Sequence, residues 1–426
     1  MTITPSRLLP IQSLQSLTQL SEREDPFLHG VRGLSIVMVI WIHTLYAINF
    51  AFDAPYFQSY LEQFWQPFRF LFGADKAVDI FFMLSAFLLG RSLHSRMRKK
   101  QLGIKRFYIE RFFRIYPLFL VGLFLFGSFD GRFLEKLPSN LIFIDNIVHT
   151  TIIPVGWSLS VEMQCYLALP WVILLAHRSG HPIYFLTLLL VATIGWRFFI
   201  ILDTPEIYQT PFIDFVMGKS NVLTYMNSVY HSTPGRVSSF VIGLLWAYMY
   251  NSKRVMKNIR IANTSAVLSS FSLFLSILII WLTMQFPHYI ATESYYDTFN
   301  TTANLFWVGL HRILFCIALL NIILMIQSGV QNPLLSAVHQ FFSLRFWRPL
   351  SQLSFPIYLF HFPFIVLGWL ITLRTTELEL LGQISILQTI TAGVITTILV
   401  AWFSLPVHFL LERKGIALGK RLAQTN

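Results

Sequence analysis

The chain has 426 residues, 55% of them hydrophobic and 16% aromatic against only 12% charged, with a mean hydropathy of +0.59. A soluble domain carries about 25% charged residues, so a soluble enzyme, a disordered chain and a nucleic-acid-binding domain are all excluded and the bilayer is the expected solvent. The net charge of +12 collects in particular loops rather than along one face, so it reports membrane topology and no nucleic-acid partner is expected.

Residues 1–30 are mixed polar, with Arg7, Glu22, Arg23, Glu24 and Asp25 and no continuous apolar core. No secretory signal is read there, and the segment is expected to remain on the cytoplasmic side. Residues 8–20 place leucine or isoleucine about every third position, a spacing that smears around a helix. The segment reads as either a surface helix or a flexible tail.

A bilayer core of ~30 Å needs about 20 apolar residues per helix. Stretches that meet this lie near 34–52, 70–90, 115–129, 156–176, 183–202, 234–250, 265–286, 305–327, 353–373 and 384–411. The second, third and sixth are short or interrupted. With the N-terminus inside, 22 Lys and Arg fall on cytoplasmic segments and 6 on the opposite ones, as the positive-inside rule requires. The predicted fold is an all-α polytopic membrane helix bundle of about ten transmembrane helices with both termini cytoplasmic, in the plasma (inner) membrane. A single integral domain spans 27–415, between a cytoplasmic N-terminal segment (1–26) and a short C-terminal tail (416–426). That tail is far shorter than a domain, so any further extracytoplasmic domain is expected to be a separate protein. The loop 203–232, with Asp203, Glu206 and Asp214, is expected to fold over an outward-facing site.

Ionisable groups inside spanning helices are costly unless they face a cavity or a partner, and this chain has several. Arg32 and His43 are eleven residues apart, so they share a helix face and are separated by ~16 Å along the axis. An anion gripped by Arg32 at the cytoplasmic mouth would extend to an imidazole near mid-membrane; the plain alternative is a snorkelling Arg and a His bonded to a neighbouring helix. Asp79 lies in the apolar run AVDIFFMLSAFLL, and Glu162 in WSLSVEMQCYLALP is one turn from Ser158 and Tyr166. Either carboxylate is expected to orient His43 or to make a structural interhelix bond. Arg111 and Arg114 in RFFRIYP share one helical face, an arrangement that suits phosphate and equally suits a basic inner flank. His361, at a depth comparable with His43, either lines the same cavity as a substrate-binding group or bonds a carbonyl freed by Pro356 or Pro363. Arg236 opens the sixth stretch on the outer side, where an acceptor or a loop carboxylate would meet it. Arg312, beside His311, has no evident place. Cys165 and Cys316 lie in apolar runs and form neither a disulfide framework nor a zinc site, and no metal is expected.

Taken in order, LHGVRGLSIVMVIWIHT with its Arg-x10-His spacing, AVDIFFMLSAFLL, RFFRIYP, WSLSVEMQCYLALP and LSFPIYLFHFP resemble the acyltransferase-3 family of integral membrane acyltransferases. The resemblance implies transfer of an acyl group, with acetyl or another short acyl expected, from acyl-coenzyme A (acyl-CoA, with acetyl-CoA the expected form) to a carbohydrate or glycolipid hydroxyl of the cell envelope. It makes His43 the catalytic histidine, as base or acyl carrier, and Arg32 its partner in the first helix. It also makes Arg111 and Arg114 contacts for the coenzyme A phosphates. Three positions depart from the family pattern: His29 stands where an Asp is usual, Ala86 where a Gly is usual, and Met163 and Gln164 where acidic residues follow Glu162. The rival reading is a transporter or flippase of a glycan or lipid precursor, whose buried His, Arg and carboxylates form a substrate path. Neither an inverted repeat nor a matched pair of broken helices supports it.

Overall fold

The computed structural model describes residues 17–18, 24–51, 54–99, 103–216, 218, 220–285, 299–374 and 383–424. Most of segment 8–20 lies outside the described residues. Among those described there is no strand, and ten helices of 19 residues or more occupy the ten apolar stretches. They are α1 (Pro26–Ala51), α2 (Ala77–Arg98), α3 (Ile104–Gly127), α4 (Gly156–Arg178), α5 (Pro182–Asp203), α6 (Thr233–Asn251), α7 (Ala266–Gln285), α8 (Thr301–Gln327), α9 (Ser354–Leu373) and α10 (Ile386–Val407). Seven are long and apolar enough to cross a membrane; the exceptions are α2, α3 and α6, the same three stretches that look short or interrupted in the sequence. The protein is a multi-pass membrane protein.

The exceptions have a packing explanation in α6. From Gly235 to Tyr248 that helix is buried except at Val237. It faces protein rather than lipid, so its sequence need not be uniformly apolar. Its closest partner is α2. A side chain at Gly243 would lie 2.3 Å from the carbonyl oxygen of Met83, so only glycine permits this approach. Phe87 and Trp246 stack across the same seam with ring centroids 3.6 Å apart. By contrast α5, α7 and α10 present large exposed apolar side chains, among them Leu188, Phe199, Phe271, Phe274, Ile398 and Trp402. Those faces are what a hydrocarbon solvent would cover.

Helix limits differ from the apolar stretches in ways that move functional residues. Helix α1 begins eight residues before its stretch, so Arg32 is part of the helix. Helix α3 begins at Ile104, which joins Arg111 and Arg114 to the span itself. Hydropathy misses these turns because they carry charged residues, of which Arg32, Arg111 and Arg114 line a cleft inside the protein. After α10 the chain continues through a π-helical turn (His408–Glu412) into a basic helix, Arg413–Leu422. That helix packs on α3, and a side chain at Gly415 would stand 2.7 Å from the Phe113 carbonyl oxygen. Residues 416–422, read from the sequence as tail, are therefore part of the packed structure.

The segment 203–232 forms short helices and a π-helical turn, Met226–Tyr230, held by a small core of Ile201, Ile207, Phe215, Tyr225, Val229 and Val308. Its last turn brings Tyr230 over the guanidiniums of Arg236 and Arg312, at 4.3 and 5.1 Å from the ring centroid.

Candidate active site

Two of the polar regions within the bundle hold residues singled out in the sequence. The first joins α2, α6 and α8. Asp79 accepts hydrogen bonds from Arg236 Nη1 (3.0 Å), Arg312 Nη1 (2.7 Å) and Ser239 Oγ (2.7 Å). Arg312 also donates to Asp75, which accepts a bond from Lys76 Nζ at 3.2 Å. Asp79 and Arg236 are fully buried and Arg312 nearly so. A buried carboxylate needs such partners, and here it finds two guanidiniums on two other helices. Arg236 opens α6 as the sequence indicates, but its guanidinium points into the bundle and meets Asp79 rather than a loop carboxylate. Arg312, which has no evident place in the sequence, is the second partner.

The second region is a cleft of about 320 Å³. Arg32 from α1, Arg111 and Arg114 from α3, Ser85 from α2, Glu162 and Tyr166 from α4, and Tyr358 from α9 all line it. Glu162 Oε1 accepts from Ser85 Oγ at 2.7 Å and from the Tyr166 hydroxyl. Among the described residues, the three guanidiniums have no hydrogen bond or ion pair, and the Nε of Arg111 is buried without a partner. Three fixed cations around one engaged carboxylate leave the cleft positive, and guanidinium is the side chain best matched to phosphate. Gly30, next in the Arg32 motif, has a structural purpose. Any side chain there would lie 1.9 Å from the Phe342 carbonyl oxygen, so glycine lets the segment before α9 close on the base of α1.

His43 lies one helix face along from Arg32, and the structure pairs it with His361. His361 Nε2 and His43 Nδ1 are 3.0 Å apart, and the ring centroids are 4.9 Å apart. The backbone determines the tautomers. His43 Nδ1 is 2.9 Å from the Val39 carbonyl oxygen and His361 Nδ1 is 2.7 Å from that of Tyr358. A carbonyl only accepts, so each neutral ring carries its proton on Nδ1. The one Nδ1–H of His43 is then shared between the Val39 carbonyl oxygen and His361 Nε2, and His43 Nε2 keeps a bare lone pair. Tyr358 connects this pair to the cleft: its hydroxyl shares a 2.6 Å hydrogen bond with Ser158, and its ring centroid is 6.1 Å from that of His361.

Among the described residues, neither of the expected carboxylates partners His43. Asp79 is engaged by Arg236, Arg312 and Ser239, and Glu162 by Ser85 and Tyr166, so neither hydrogen-bonds the imidazole. Its ring is held by a backbone carbonyl and a second histidine. The sequence signal for this was the matched depth of His43 and His361; no spacing rule could give a 3.0 Å contact between helices so far apart in the chain. His361 is fully buried and is not among the residues that line the cleft. The three departures from the family pattern also resolve. His29 Nδ1 bonds Ser351 Oγ at 2.9 Å beside the Glu24–Arg348 pair, so a carboxylate is present at this end of α1 after all. Ala86 packs toward Gly243. Gln164 donates to the Phe143 carbonyl and to Asn146 Oδ1, clipping α4 to the preceding loop. No group of metal-ligating side chains occurs among the described residues.

An α-helical membrane bundle with a guanidinium-lined cleft, and a half-buried imidazole further along the helix that carries Arg32, defines the class to which comparison with known proteins assigns this chain. It belongs to the acyltransferase-3 family, described as an acyltransferase domain, which matches residues 25–405. It is 24% identical over 395 residues to peptidoglycan O-acetyltransferase OatA of Listeria monocytogenes, covering 86% of this chain and 52% of that protein. It is 25% identical over 401 residues to nose resistant to fluoxetine protein 6 of Caenorhabditis elegans, covering 80% of this chain and 45% of that one. The chain thus spans about half the length of these two relatives. An uncharacterized protein of Haemophilus influenzae is 25% identical over 224 residues, covering 46% of this chain and 84% of that protein. No solved structure matches.

Proposed function

We propose that the protein is an acyl-CoA-dependent O-acyltransferase that esterifies a hydroxyl of an envelope carbohydrate or glycolipid. One observation carries this reading: three guanidiniums without partners among the described residues line a cleft, and one of them shares a helix face with a histidine whose Nε2 is free to accept a proton. The phosphates of the donor dock on Arg32, Arg111 and Arg114 from the cytoplasmic side. The pantetheine arm then covers the ~16 Å from Arg32 to His43 along α1. The likeness to a peptidoglycan O-acetyltransferase favours a carbohydrate acceptor.

In the proposed reaction His43 Nε2 removes the proton of the acceptor hydroxyl as its oxygen attacks the thioester carbonyl carbon. The C–O bond forms, the C–S bond breaks, and the imidazolium returns its proton to the departing thiolate. His361 accepts from His43 Nδ1–H throughout, holding the ring in the tautomer that presents Nε2 and supporting the transient positive charge. Asp79 and Arg236 are assigned to holding the bundle together rather than to the reaction or to the acceptor. Glu162 is assigned to the wall of the donor cleft, where it fixes Tyr166 and Ser85.

The test is thiol release from acyl-CoA by the purified protein in nanodiscs with envelope glycan as acceptor, comparing wild type with His43→Ala. Release that requires acceptor and is lost in the variant is expected. Equal release by both proteins removes His43 from the chemistry, and gradient-driven substrate movement without acylation would favour a transporter.

A further inference from the structure

A second cavity lies beyond His43, on the side away from Arg32 along α1. It has a volume of about 440 Å³ and is lined by His43 with Ala47, Ile48, Phe362, Ile365 and Trp369, among others. Its walls are hydrocarbon apart from His43. The one other polar side-chain atom on these residues, the Trp369 indole nitrogen, already donates to the Thr44 carbonyl at 3.1 Å. A sugar placed here would bury hydroxyls with no partner, at a cost of about 1–3 kcal/mol for each. The cavity suits a hydrocarbon chain that carries a single reactive polar group at the imidazole end.

Resting on the proposed donor reading, we infer that this cavity holds the acyl tail of the donor and that the protein transfers medium-chain acyl groups in preference to acetyl. The phosphates bind at Arg32, Arg111 and Arg114, and the thioester carbonyl must reach His43. Whatever lies beyond that carbonyl continues into the space on the far side of the imidazole. A cavity of roughly 150 Å³ holds benzene, and this one is about three times larger. An acetyl methyl would leave nearly all of it unfilled.

Helix α1 supplies a ruler. Ala47 and Ala51 follow His43 at intervals of four residues on one face, and both line the cavity. They stand ~6 and ~12 Å beyond His43 along the helix. An extended chain advances ~1.2 Å per bond, so these positions correspond to about five and ten bonds past the carbonyl.

The experiment titrates the full-length protein in phosphatidylcholine nanodiscs with CoA and with acetyl-, butyryl-, hexanoyl-, octanoyl- and decanoyl-CoA. Each affinity is read as a ratio to that of CoA on the same protein, so any loss of folded material cancels. In wild type the ratio should rise by about fourfold per methylene through to decanoyl. In Ala51→Phe the rise should stop at about octanoyl, and in Ala47→Phe at about butyryl. A rise that is the same in all three proteins reports partition into the bilayer and overturns the inference. A flat profile with CoA still bound also overturns it, and leaves the cavity to the lipid tail of an acceptor. Failure of CoA itself to bind wild type would instead overturn the donor reading on which the inference rests.

Discussion

The bundle contains two groups of ionisable side chains that differ in how their charges are met. Around Asp79 the carboxylate is bonded by Arg236 on α6 and Arg312 on α8, with Ser239 filling a further acceptor site. Around the cleft, Arg32, Arg111 and Arg114 converge from α1 and α3 with no such partner among the described residues. Both groups are equally conspicuous in the sequence, as charged residues in apolar helices. Only the first is complete. A buried charge whose partners belong to the protein stabilises one packing of the helices, whereas a cluster of cations facing open space is stabilised by what enters it.

Breaking the first group should have the largest effect. Asp79→Asn leaves buried Arg236 without its counter-ion and takes one of two carboxylates from Arg312, and should destabilise the protein by about 3–5 kcal/mol, seen as early loss of the monodisperse peak in thermal size-exclusion measurements. Arg111→Ala should leave that melting curve close to wild type. If the two variants melt alike, the distinction between the regions fails. At the reaction centre, His43→Ala should lower acyl transfer by about 10²–10⁴-fold while CoA binding persists, which steady-state thiol release and equilibrium binding measure separately.

In the cleft, charge-assisted hydrogen bonds contribute about 1.5–3 kcal/mol each. Arg111→Ala and Arg114→Ala should each weaken CoA binding by roughly 10–150-fold, and dephospho-CoA should reveal which guanidinium meets the 3′-phosphate. The smallest effect is expected from the positioning residue. His361→Ala should lower kcat by about tenfold, one hydrogen bond's worth, with donor KM unchanged and a displaced pH profile of kcat. His361→Gln, which can still accept a hydrogen bond, should recover part of the loss. A rise in KM instead would make His361 a substrate contact.

How much could be read in advance depended on whether a property was local to one helix. The ten helices were legible because each is long and apolar, and α2, α3 and α6 looked weak in the sequence for a reason the structure supplies for α6, which is enclosed by protein. The alignment of Arg32 with His43 and of Arg111 with Arg114 follows from helical periodicity alone. The partner of His43 did not. Asp79 and Glu162 were the natural candidates for orienting an imidazole, yet both are engaged elsewhere, and the contact is made by His361 from a helix more than 300 positions away. Arg312 was visible as a charge but not as the second ligand of Asp79, since that pairing depends on how α8 packs against α2.

The sequence by itself determined the solvent, the helices and which residues share a helix face, because hydrophobic length and a 3.6-residue period are properties of single segments. Tertiary structure decided which charges neutralise one another, which imidazole nitrogen is free, and where the space around His43 is polar or apolar. Each of these depends on contacts between helices remote in the chain, and a linear pattern carries no distance between them.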